Sequence, residues 1–252
     1  MKNIEIVLGC LHSPFHNKKL WYGILNLIKD LPISGISLIG DILDLNSLSD
    51  YDRGKSLLKI DNEDLDLRKE YKRVTVFDEL DEVMNLNRRH ITKRFLYGNH
   101  EDRYLRAIRD PDKAKIIAEP PEEYFRLRER GWVVKTNWKD DYYLSGDHLE
   151  LFHGQLLGVN PAKRQLDKLK KSCMFVHSHR AGTYHDGNMA SYNIGCLVDV
   201  TSPVFGYAVR LITRNWVMGF ALVTIDDDGF YHCQPITAYN DIFYFNGKSY
   251  GK

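Results

Sequence analysis

The first forty residues constrain the fold most strongly, because they show a strand, a helix and a second strand in succession. The apolar runs at residues 4–8 and 35–39 each predict a short buried strand. Between them, residues 17–30 place apolar side chains at the three- and four-residue steps of an amphipathic helix. A strand, a crossover helix and a strand form a parallel pair, so this segment predicts the start of an α/β sheet.

The rest of the chain adds helices first and short strands later. In the first part, helices are predicted over residues 61–87, 101–109 and 122–130, and a strand over 91–97. From residue 132 onward short strands dominate, with one helix over 160–171 whose N-cap is Asn160 and whose first position is Pro161. The predicted late strands are residues 142–144, 148–152, 173–176, 191–194, 217–225 and 230–234.

Composition and charge exclude several classes of protein. The 35 Lys and Arg residues balance 34 Asp and Glu, so no global charge draws the chain to nucleic acid or to a membrane. No apolar run reaches the roughly 20 residues of a membrane span, and the N-terminus lacks a signal-peptide pattern. The four cysteines show no CxxC spacing. We therefore expect one domain over residues 1–252, with a helical insertion at about 101–138, in a reducing cytoplasmic setting without membrane contact.

Five short polar clusters follow predicted strands or apolar runs. In α/β sheets, functional groups gather beyond the carboxyl ends of the strands, so clusters that are far apart in sequence can converge there. A glycine at such a strand end lets the backbone turn sharply. The clusters are Cys10-Leu11-His12, Gly40-Asp41-Ile42-Leu43-Asp44, Gly98-Asn99-His100-Glu101, His153-Gly154 and His177-Ser178-His179.

The side chains of these clusters are those of a metal site. Their imidazoles are metal ligands, Asp41 can bridge two ions through its two oxygens, and Asn99 offers a neutral oxygen. Two divalent ions about 4 Å apart can clamp a phosphoryl group and activate water at neutral pH. Taken alone, each cluster has an ordinary explanation: a turn, a helix cap, a surface histidine or, for Cys10, a small buried apolar side chain. Their joint occurrence in order favours the metal site.

The order Cys-x-His, GDxxD, GNHE, HG and HxH resembles the calcineurin-like metallophosphoesterase superfamily over residues 10–180. The resemblance implies a four-layer α/β/β/α sandwich of two mixed sheets flanked by helices, with two metal ions and phosphate-ester hydrolysis. It implies that His100 contacts the substrate and protonates the leaving oxygen, while Asp41 bridges the ions. By position, one ion would be held by Cys10, His12, Asp41 and His179, and the other by Asp41, Asn99, His153 and His177.

Position 10 departs from the superfamily pattern, which usually has aspartate there. RNA lariat debranching enzymes are similar to this chain in their Gly-Cys-x-His start, whereas the Ser-Pro-Phe-His after His12 resembles phage and bacterial members. A thiolate favours Zn²⁺ or Fe²⁺ over Mg²⁺ or Mn²⁺. Three alternatives stay open: Cys10 is a ligand to a softer metal, it stands aside and weakens one site, or the centre is inactive.

Three further residues are candidates for supporting roles. Asp44 would orient a ligand histidine, His16 would reach the substrate phosphate or cap a turn, and Arg180 would neutralise a phosphate oxygen. A basic run could track a phosphate backbone or form a solvated face. It comprises Lys163, Arg164, Lys168, Lys170 and Lys171, together with Arg103, Arg106 and Arg109.

These observations predict a metal-dependent phosphoric ester hydrolase containing two divalent ions, Fe²⁺, Zn²⁺ or Mn²⁺. The first choice is a phosphodiesterase that acts on nucleic acid or nucleotides, such as a nuclease. The alternatives are a phosphomonoesterase for a protein or a small metabolite, and a metal-free binding scaffold. The sequence does not predict the oligomeric state.

Overall fold

The strand–helix–strand unit at the start of the chain is confirmed in the computed structural model, which describes residues 3–49, 67–86, 90–111, 118–205 and 215–251. Strand β1 (Asn3–Leu8) runs parallel to strand β2 (Gly35–Ile39). Helix α1 (Lys18–Asp30) connects them and begins after Asn17, whose side chain accepts a hydrogen bond from Leu20 N at 3.1 Å. This N-cap satisfies one of the backbone donors that a helix start leaves free.

The first sheet has six strands and combines parallel and antiparallel pairs. Besides β1 and β2 it contains β3 (Thr92–Leu96), β4 (Trp132–Lys135), β10 (Gly219–Ile225) and β11 (Tyr231–Thr237). The strand order is β11-β10-β1-β2-β3-β4, with the last four strands parallel and the first two joining antiparallel.

The second sheet has five strands in the order β5-β6-β7-β9-β8. The inner strands β6, β7 and β9 are parallel, while β5 and β8 pair antiparallel at the two edges. Its strands are β5 (Tyr143–Ser145), β6 (Leu149–Leu151), β7 (Cys173–Phe175), β8 (Ala181–Asp186) and β9 (Met189–Ile194). A separate hairpin consists of β12 (Phe243–Phe245) and β13 (Lys248–Tyr250).

Six α-helices with both ends defined belong to the described part of the chain. After α1 they are α2 (Leu67–Lys72), α3 (Val76–Leu86), α4 (Asp102–Ala107), α5 (Pro121–Tyr124) and α6 (Pro161–Leu169). None of the helices in these ranges is long and apolar enough to cross a membrane.

Two apolar cores define four layers and confirm the predicted sandwich. Side chains on one face of β1, such as Ile6 and Leu8, pack with α1 and α3. The alternate residue Val7 faces the other way and packs with Phe175 and Tyr192 of the second sheet. Helix α6 packs on β8 and β9, so it covers the outer face of that sheet. The layer order is therefore helices, sheet, sheet, helix.

Two predicted helices are wrong in extent. Within the predicted helix 61–87, residues 61–66 and 87 lie outside the described residues, and the remainder forms α2 and α3. The break falls at residues 73–75 and includes Val74 and Thr75, whose β-branched side chains disfavour helix. Predicted helix 122–130 is shortened to α5 because Arg126 adopts a left-handed conformation, with φ of 51°.

Several strands have no signal in the sequence. Among the remaining predicted elements β2 has the predicted ends, and the others are present with shifted ends. Strand β8 is largely exposed and lacks an apolar pattern. It is a strand because its backbone pairs with that of β9. Residue 160 does precede α6, but Asn160 has a left-handed φ of 55° and its side chain makes no capping bond. The segment 101–138 contains α4, α5 and also β4 of the first sheet, while residues 112–117 lie outside the described part.

Candidate metal centre

All five polar clusters meet at one edge of the sandwich. Strands β1, β2 and β3 of the first sheet end there, as do β6 and β7 of the second, and one cluster follows each strand. The parallel arrangement of these strands places their carboxyl ends together. The side chains brought together are Cys10, His12, Asp41, Asp44, Asn99, His100, His153, His177 and His179.

Five of these residues have left-handed backbone conformations that their side chains disfavour. Such a conformation costs about 1–3 kcal/mol per non-glycine residue and persists only where the surroundings impose it. Strain of this kind concentrates at functional sites. The residues are Cys10 (φ 47°), His12 (φ 53°), Asp41 (φ 51°), His177 (φ 63°) and His179 (φ 57°).

Two glycines leave room for the ligand side chains. A Cβ atom on Gly40 would lie 2.5 Å from His153 Nδ1, and one on Gly98 would lie 2.2 Å from Asp41 Oδ1. Gly40 also has a left-handed φ of 94°. Any larger residue at either position would displace Asp41 or His153 from the centre.

One donor group consists of a thiol and two imidazoles. The ligand atoms of Cys10, His12 and His179 lie within 4.8 Å of one another. The Nε2 atoms of His12 and His179 are only 3.1 Å apart. Ligand atoms this close to one another could bind one cation.

A second donor group adjoins the first. The ligand atoms of Cys10, Asp41 and His153 also lie within 4.8 Å of one another. The Oδ1 atom of Asn99 is 3.0 Å from His153 Nε2. The His177 ring lies 5.0 Å from the His153 ring, and the His177 backbone N–H donates to Cys10 Sγ at 3.2 Å.

Asp41 lies between the two groups. Its Oδ2 atom is 3.8 Å from His12 Nε2 and 3.3 Å from His153 Nε2, while Oδ1 accepts a hydrogen bond from His100 N at 2.8 Å. Burial alone would raise the pKa of Asp41, but His153 and His100 outweigh it and hold that pKa well below its usual value. The carboxylate is therefore charged and faces both groups.

Three of the candidate ligand imidazoles have pKa values that favour the neutral form, which can bind metals. Burial lowers the pKa of His12 and of His179, and it lowers the pKa of His177 to about 4. A neutral imidazole keeps a lone pair available for a cation. Burial and the charge of Asp41 raise the pKa of the Cys10 thiol well above its usual value, so this thiol is protonated until a cation offsets that charge.

Asp44 orients two of the rings, as its predicted supporting role requires. Its Oδ1 atom is 2.9 Å from His12 Nδ1 and 3.1 Å from His100 Nδ1. The Asp44 carbonyl oxygen accepts from His100 Nδ1 at 2.8 Å and from Arg103 Nη1 at 2.9 Å. Burial would lower the pKa of His100, but Asp41 and Asp44 outweigh it and raise that pKa.

Glu101 is a buried carboxylate to which the sequence analysis assigned no role. It accepts backbone hydrogen bonds from Gly98 N at 2.7 Å, Asp41 N at 2.9 Å and Leu43 N at 2.8 Å. It thus joins the loop after β2 to the loop after β3. Its place in the Gly-Asn-His-Glu cluster was the one signal that could have identified it.

Replacing Glu101 with glutamine is expected to lower the free energy of unfolding by about 1–3 kcal/mol, because the new amide leaves at least one buried backbone N–H unpaired. Chemical denaturation of the metal-free protein measures this change. Glu129→Gln, at an exposed position paired with Arg126, is the control and should change stability little. Equal stability of Glu101→Gln and wild type would contradict the role assigned to Glu101.

Aromatic rings surround the centre, although no sequence motif pointed to them. Trp216 lies 4.3 Å from the His179 ring, and Trp138 lies 5.8 Å from His153 and 6.1 Å from His177, between ring centroids. Phe205 packs edge-on against His12 at 5.6 Å. These rings pack against the histidines of the two donor groups.

Two of the candidate residues lie outside the donor groups. The His16 ring packs against Trp21 of α1 at 5.8 Å, and burial lowers its pKa to about 4. Arg180 donates from Nη1 to the Gly158 carbonyl at 2.6 Å. Neither residue contacts a ligand side chain in any of the described hydrogen bonds or ion pairs.

The basic run is partly neutralised. Lys163 pairs with Asp167 at 2.6 Å, and Lys171 pairs with Glu150 at 2.8 Å. Arg103 differs from these residues because its guanidinium lies beside His100, with Nη2 3.3 Å from Nε2.

Comparisons with known proteins show limited likeness. A scan against protein-family models found no match, and neither did a search of the curated proteins. Among solved structures, Vacuolar Protein Sorting 29 (Vps29) from Cryptosporidium parvum is 13% identical, with a TM-score of 0.48 over 98% of this chain and 94% of that chain. Vps29 from Entamoeba histolytica complexed with Zn²⁺ is 14% identical, with a TM-score of 0.41 over 93% and 98%.

A protein from Streptococcus pneumoniae described as a predicted phosphoesterase is 13% identical, with a TM-score of 0.39 over 100% of this chain and 99% of that chain. Likenesses of this size establish neither a shared family nor an activity. The candidate site therefore rests on its own geometry: buried, strained loops that bring together groups of side chains able to hold a metal ion.

Proposed function

We propose that this chain is a metal-dependent phosphoesterase with a binuclear centre. The observation that carries the proposal is the position of Asp41, whose carboxylate faces His12 on one side and His153 on the other. One ion would be held by Cys10, His12, Asp41 and His179. The other would be held by Asp41, Asn99, His153 and His177.

The donor atoms fit such ions. Each proposed set offers four ligands from sulfur, imidazole nitrogen and amide or carboxylate oxygen, as zinc-type sites do. The nitrogen and sulfur content favours Zn²⁺ or Fe²⁺ over Mg²⁺. A bound cation would also favour the thiolate of Cys10, whose pKa is raised by burial and by Asp41 in the metal-free protein.

Two divalent ions supply charge neutralisation for a phosphoryl group and a source of nucleophilic oxygen at neutral pH. His100 is the proposed proton donor. Because Asp44 holds Nδ1 of His100, Nε2 would be the nitrogen that faces a bound ester. In its protonated form, His100 would donate from Nε2 to the leaving oxygen.

Arg103 completes this side of the site. Its Nη2 lies 3.3 Å from His100 Nε2, and its Nη1 is fixed by the Asp44 carbonyl. In the metal-free protein Nη2 donates to Nε2, and a substrate oxygen that replaced this contact would bridge Nη2 and the protonated Nε2 and accept from both. Arg103 would therefore bind the ester in the orientation that places its leaving oxygen at His100.

Within this class we propose a phosphodiester of a nucleotide or nucleic acid as the substrate. Its support is the guanidinium of Arg103 beside His100 and the basic segment 163–171 that precedes His177 and His179 in the chain. Reconstitution of the metal-free protein under reducing conditions with Fe²⁺, Zn²⁺ or Mn²⁺ tests this proposal, with bis(4-nitrophenyl) phosphate and 4-nitrophenyl phosphate as substrates. Faster diester hydrolysis is expected.

Faster monoester hydrolysis in that experiment would instead indicate a phosphomonoesterase. Full metal loading without hydrolysis of either ester would contradict the proposal and favour a binding scaffold.

Replacing Cys10 with aspartate is expected to increase the affinity for Mn²⁺ relative to Zn²⁺, because carboxylate oxygen is a harder ligand than thiolate sulfur. Aspartate also tolerates the left-handed backbone at this position better than most residues. Competition titrations of the two metals, followed by elemental analysis, measure the change. Cys233→Ser, at a partly exposed cysteine, is the control, and an unchanged metal preference in Cys10→Asp would show that Cys10 is not a ligand.

A further inference from the structure

A cleft of about 360 Å³ lies beside the loop that carries His177 and His179. The start of α6 forms one wall, and β8 forms the other. Its polar lining includes Asn160, Lys163, Arg180, Thr183 and Asn193. No acidic side chain is among the described residues that line the cleft.

A buried amide at the cleft has an unused polar atom. Asn193 is only 1% exposed, and its Oδ1 has no hydrogen-bond partner among the described residues. Its Nδ2 donates to Ser178 Oγ at 2.6 Å, and Ser178 Oγ also accepts from Arg180 N at 3.3 Å. An unpaired buried polar atom is costly, so an arrangement of the amide that pairs both of its polar atoms is favoured.

The amide of Asn193 can serve as a donor to a ligand. Ser178 Oγ accepts two bonds in this arrangement, and none of the hydrogen bonds among the described residues pairs its own O–H. A 180° rotation of the Asn193 amide lets Ser178 donate to Oδ1. The rotation turns the Asn193 NH₂ group to the unpaired position, where it would donate to an oxygen of a bound group.

The remaining lining is electropositive. Arg180 uses Nη1 for the Gly158 carbonyl, and a guanidinium has five N–H donors. Lys163 lies 5.1 Å from the Tyr184 ring and shares its charge with Asp167. Helix α6 is nine residues long, and the side chain of Asn160 makes no hydrogen bond that caps its N-terminus. A helix start of this kind favours an anion.

The cleft also adjoins the proposed catalytic centre. Arg180 directly follows His179, and Ser178, the partner of Asn193, lies between His177 and His179. Asn193 is paired across the sheet with Gly182 of β8. The cleft and the donor groups therefore share the loop over residues 177–180.

We propose that this cleft binds a phosphate group other than the one that is cleaved. The inference rests on the proposed function and extends it, because it assigns the enzyme a substrate with at least two phosphates, such as a nucleotide chain. The phosphate oxygens would accept from Arg180 and from the Asn193 amide, with the α6 N-terminus adding its favourable field.

The first test is independent of catalysis. Inorganic phosphate is titrated into the metal-free protein, and binding is followed by calorimetry in wild type, Arg180→Gln and Asn193→Asp. Arg180→Gln should weaken binding about tenfold or more, because it removes a charge-assisted hydrogen bond. Asn193→Asp places a negative charge at the cleft and should abolish binding.

Arg126→Gln, which changes an exposed arginine elsewhere, is the matched control and should bind like wild type. Circular dichroism shows whether the Asn193→Asp variant folds. If that variant does not fold, the phosphate affinity of Arg180→Gln is the result that tests the proposal. Phosphate binding that is equal in wild type and Arg180→Gln, or no binding at all, would overturn the proposal.

The second test separates a phosphate of the substrate from free phosphate. The reconstituted enzyme hydrolyses a dinucleoside monophosphate with and without a terminal 5′-phosphate. In wild type the extra phosphate should lower KM about tenfold at similar kcat, and Arg180→Gln should remove this difference. Arg180-dependent binding of free phosphate without this KM difference would contradict the assignment to the substrate.

The two proposals fail in different ways. Absence of hydrolysis by the metal-loaded wild type would contradict the phosphoesterase function, while Arg180-dependent phosphate binding would still support the cleft as an anion site. Hydrolysis with no effect of Arg180→Gln on binding or KM would contradict the cleft alone.

Discussion

Replacing Asp41 with asparagine is expected to abolish metal binding at the centre and to reduce turnover by about 10³-fold or more. Asp41 is the carboxylate that faces both donor groups. Loss of its charge should therefore lower the affinity of both proposed sites for their ions. Divalent ions contribute several kcal/mol of charge stabilisation to phosphoryl transfer, and each 1.4 kcal/mol is about tenfold in rate. Elemental analysis after dialysis and steady-state hydrolysis of a diester measure the two effects.

Asparagine is the informative substitution because its Oδ1 can still accept the hydrogen bond from His100 N. The local loop geometry is therefore retained while the charge is removed. Asp140→Asn, at an exposed aspartate, is the matched control and should retain metal and activity. Full metal content in Asp41→Asn would show that the carboxylate is not a shared ligand.

Replacing His100 with glutamine is expected to reduce turnover by about 10²–10⁴-fold, the usual contribution of a general acid. Metal content should change little, because His100 belongs to neither proposed ligand set. The effect should depend on the leaving group. An alkyl ester needs protonation of its leaving oxygen, whereas a 4-nitrophenyl ester does not, so the loss should be much larger for the alkyl ester.

The control for His100→Gln is His148→Gln. His148 is an exposed histidine in the turn between β5 and β6. The control variant should leave kcat and KM unchanged for both esters. An equal loss for alkyl and 4-nitrophenyl esters in His100→Gln would exclude proton donation to the leaving group and indicate a role in binding.

The early elements of the fold could be predicted from sequence because their signals are local. Helix α1 buries its predicted apolar stripe, and β2 has the predicted ends. Strand β8 could not be predicted, since its exposed residues carry no alternation and its pairing with β9 holds it in place. The early end of α5 depends on the backbone of Arg126, which no periodicity reveals.

The candidate donor residues could be predicted from the sequence, but the residues that pack around them could not. The histidines, Asp41, Asn99 and Cys10 are recognisable for two reasons. Side chains of these types can bind metal ions, and each follows a predicted strand or apolar run. Glu101 and Trp138 act through partners that are distant in sequence, so their roles depend on the folded arrangement. Arg180 follows a ligand in the chain, yet its side chain lies at the cleft beside α6.

The sequence by itself determined which donor atoms are present, their order along the chain and their position after apolar strands. Only the tertiary structure decided that Asp41 lies between His12 and His153 and that Glu101 joins two loops. The physical reason is that these distances depend on how parallel strands of two stacked sheets end at a common edge. That arrangement arises from long-range strand pairing and core packing, which local patterns in a chain do not encode.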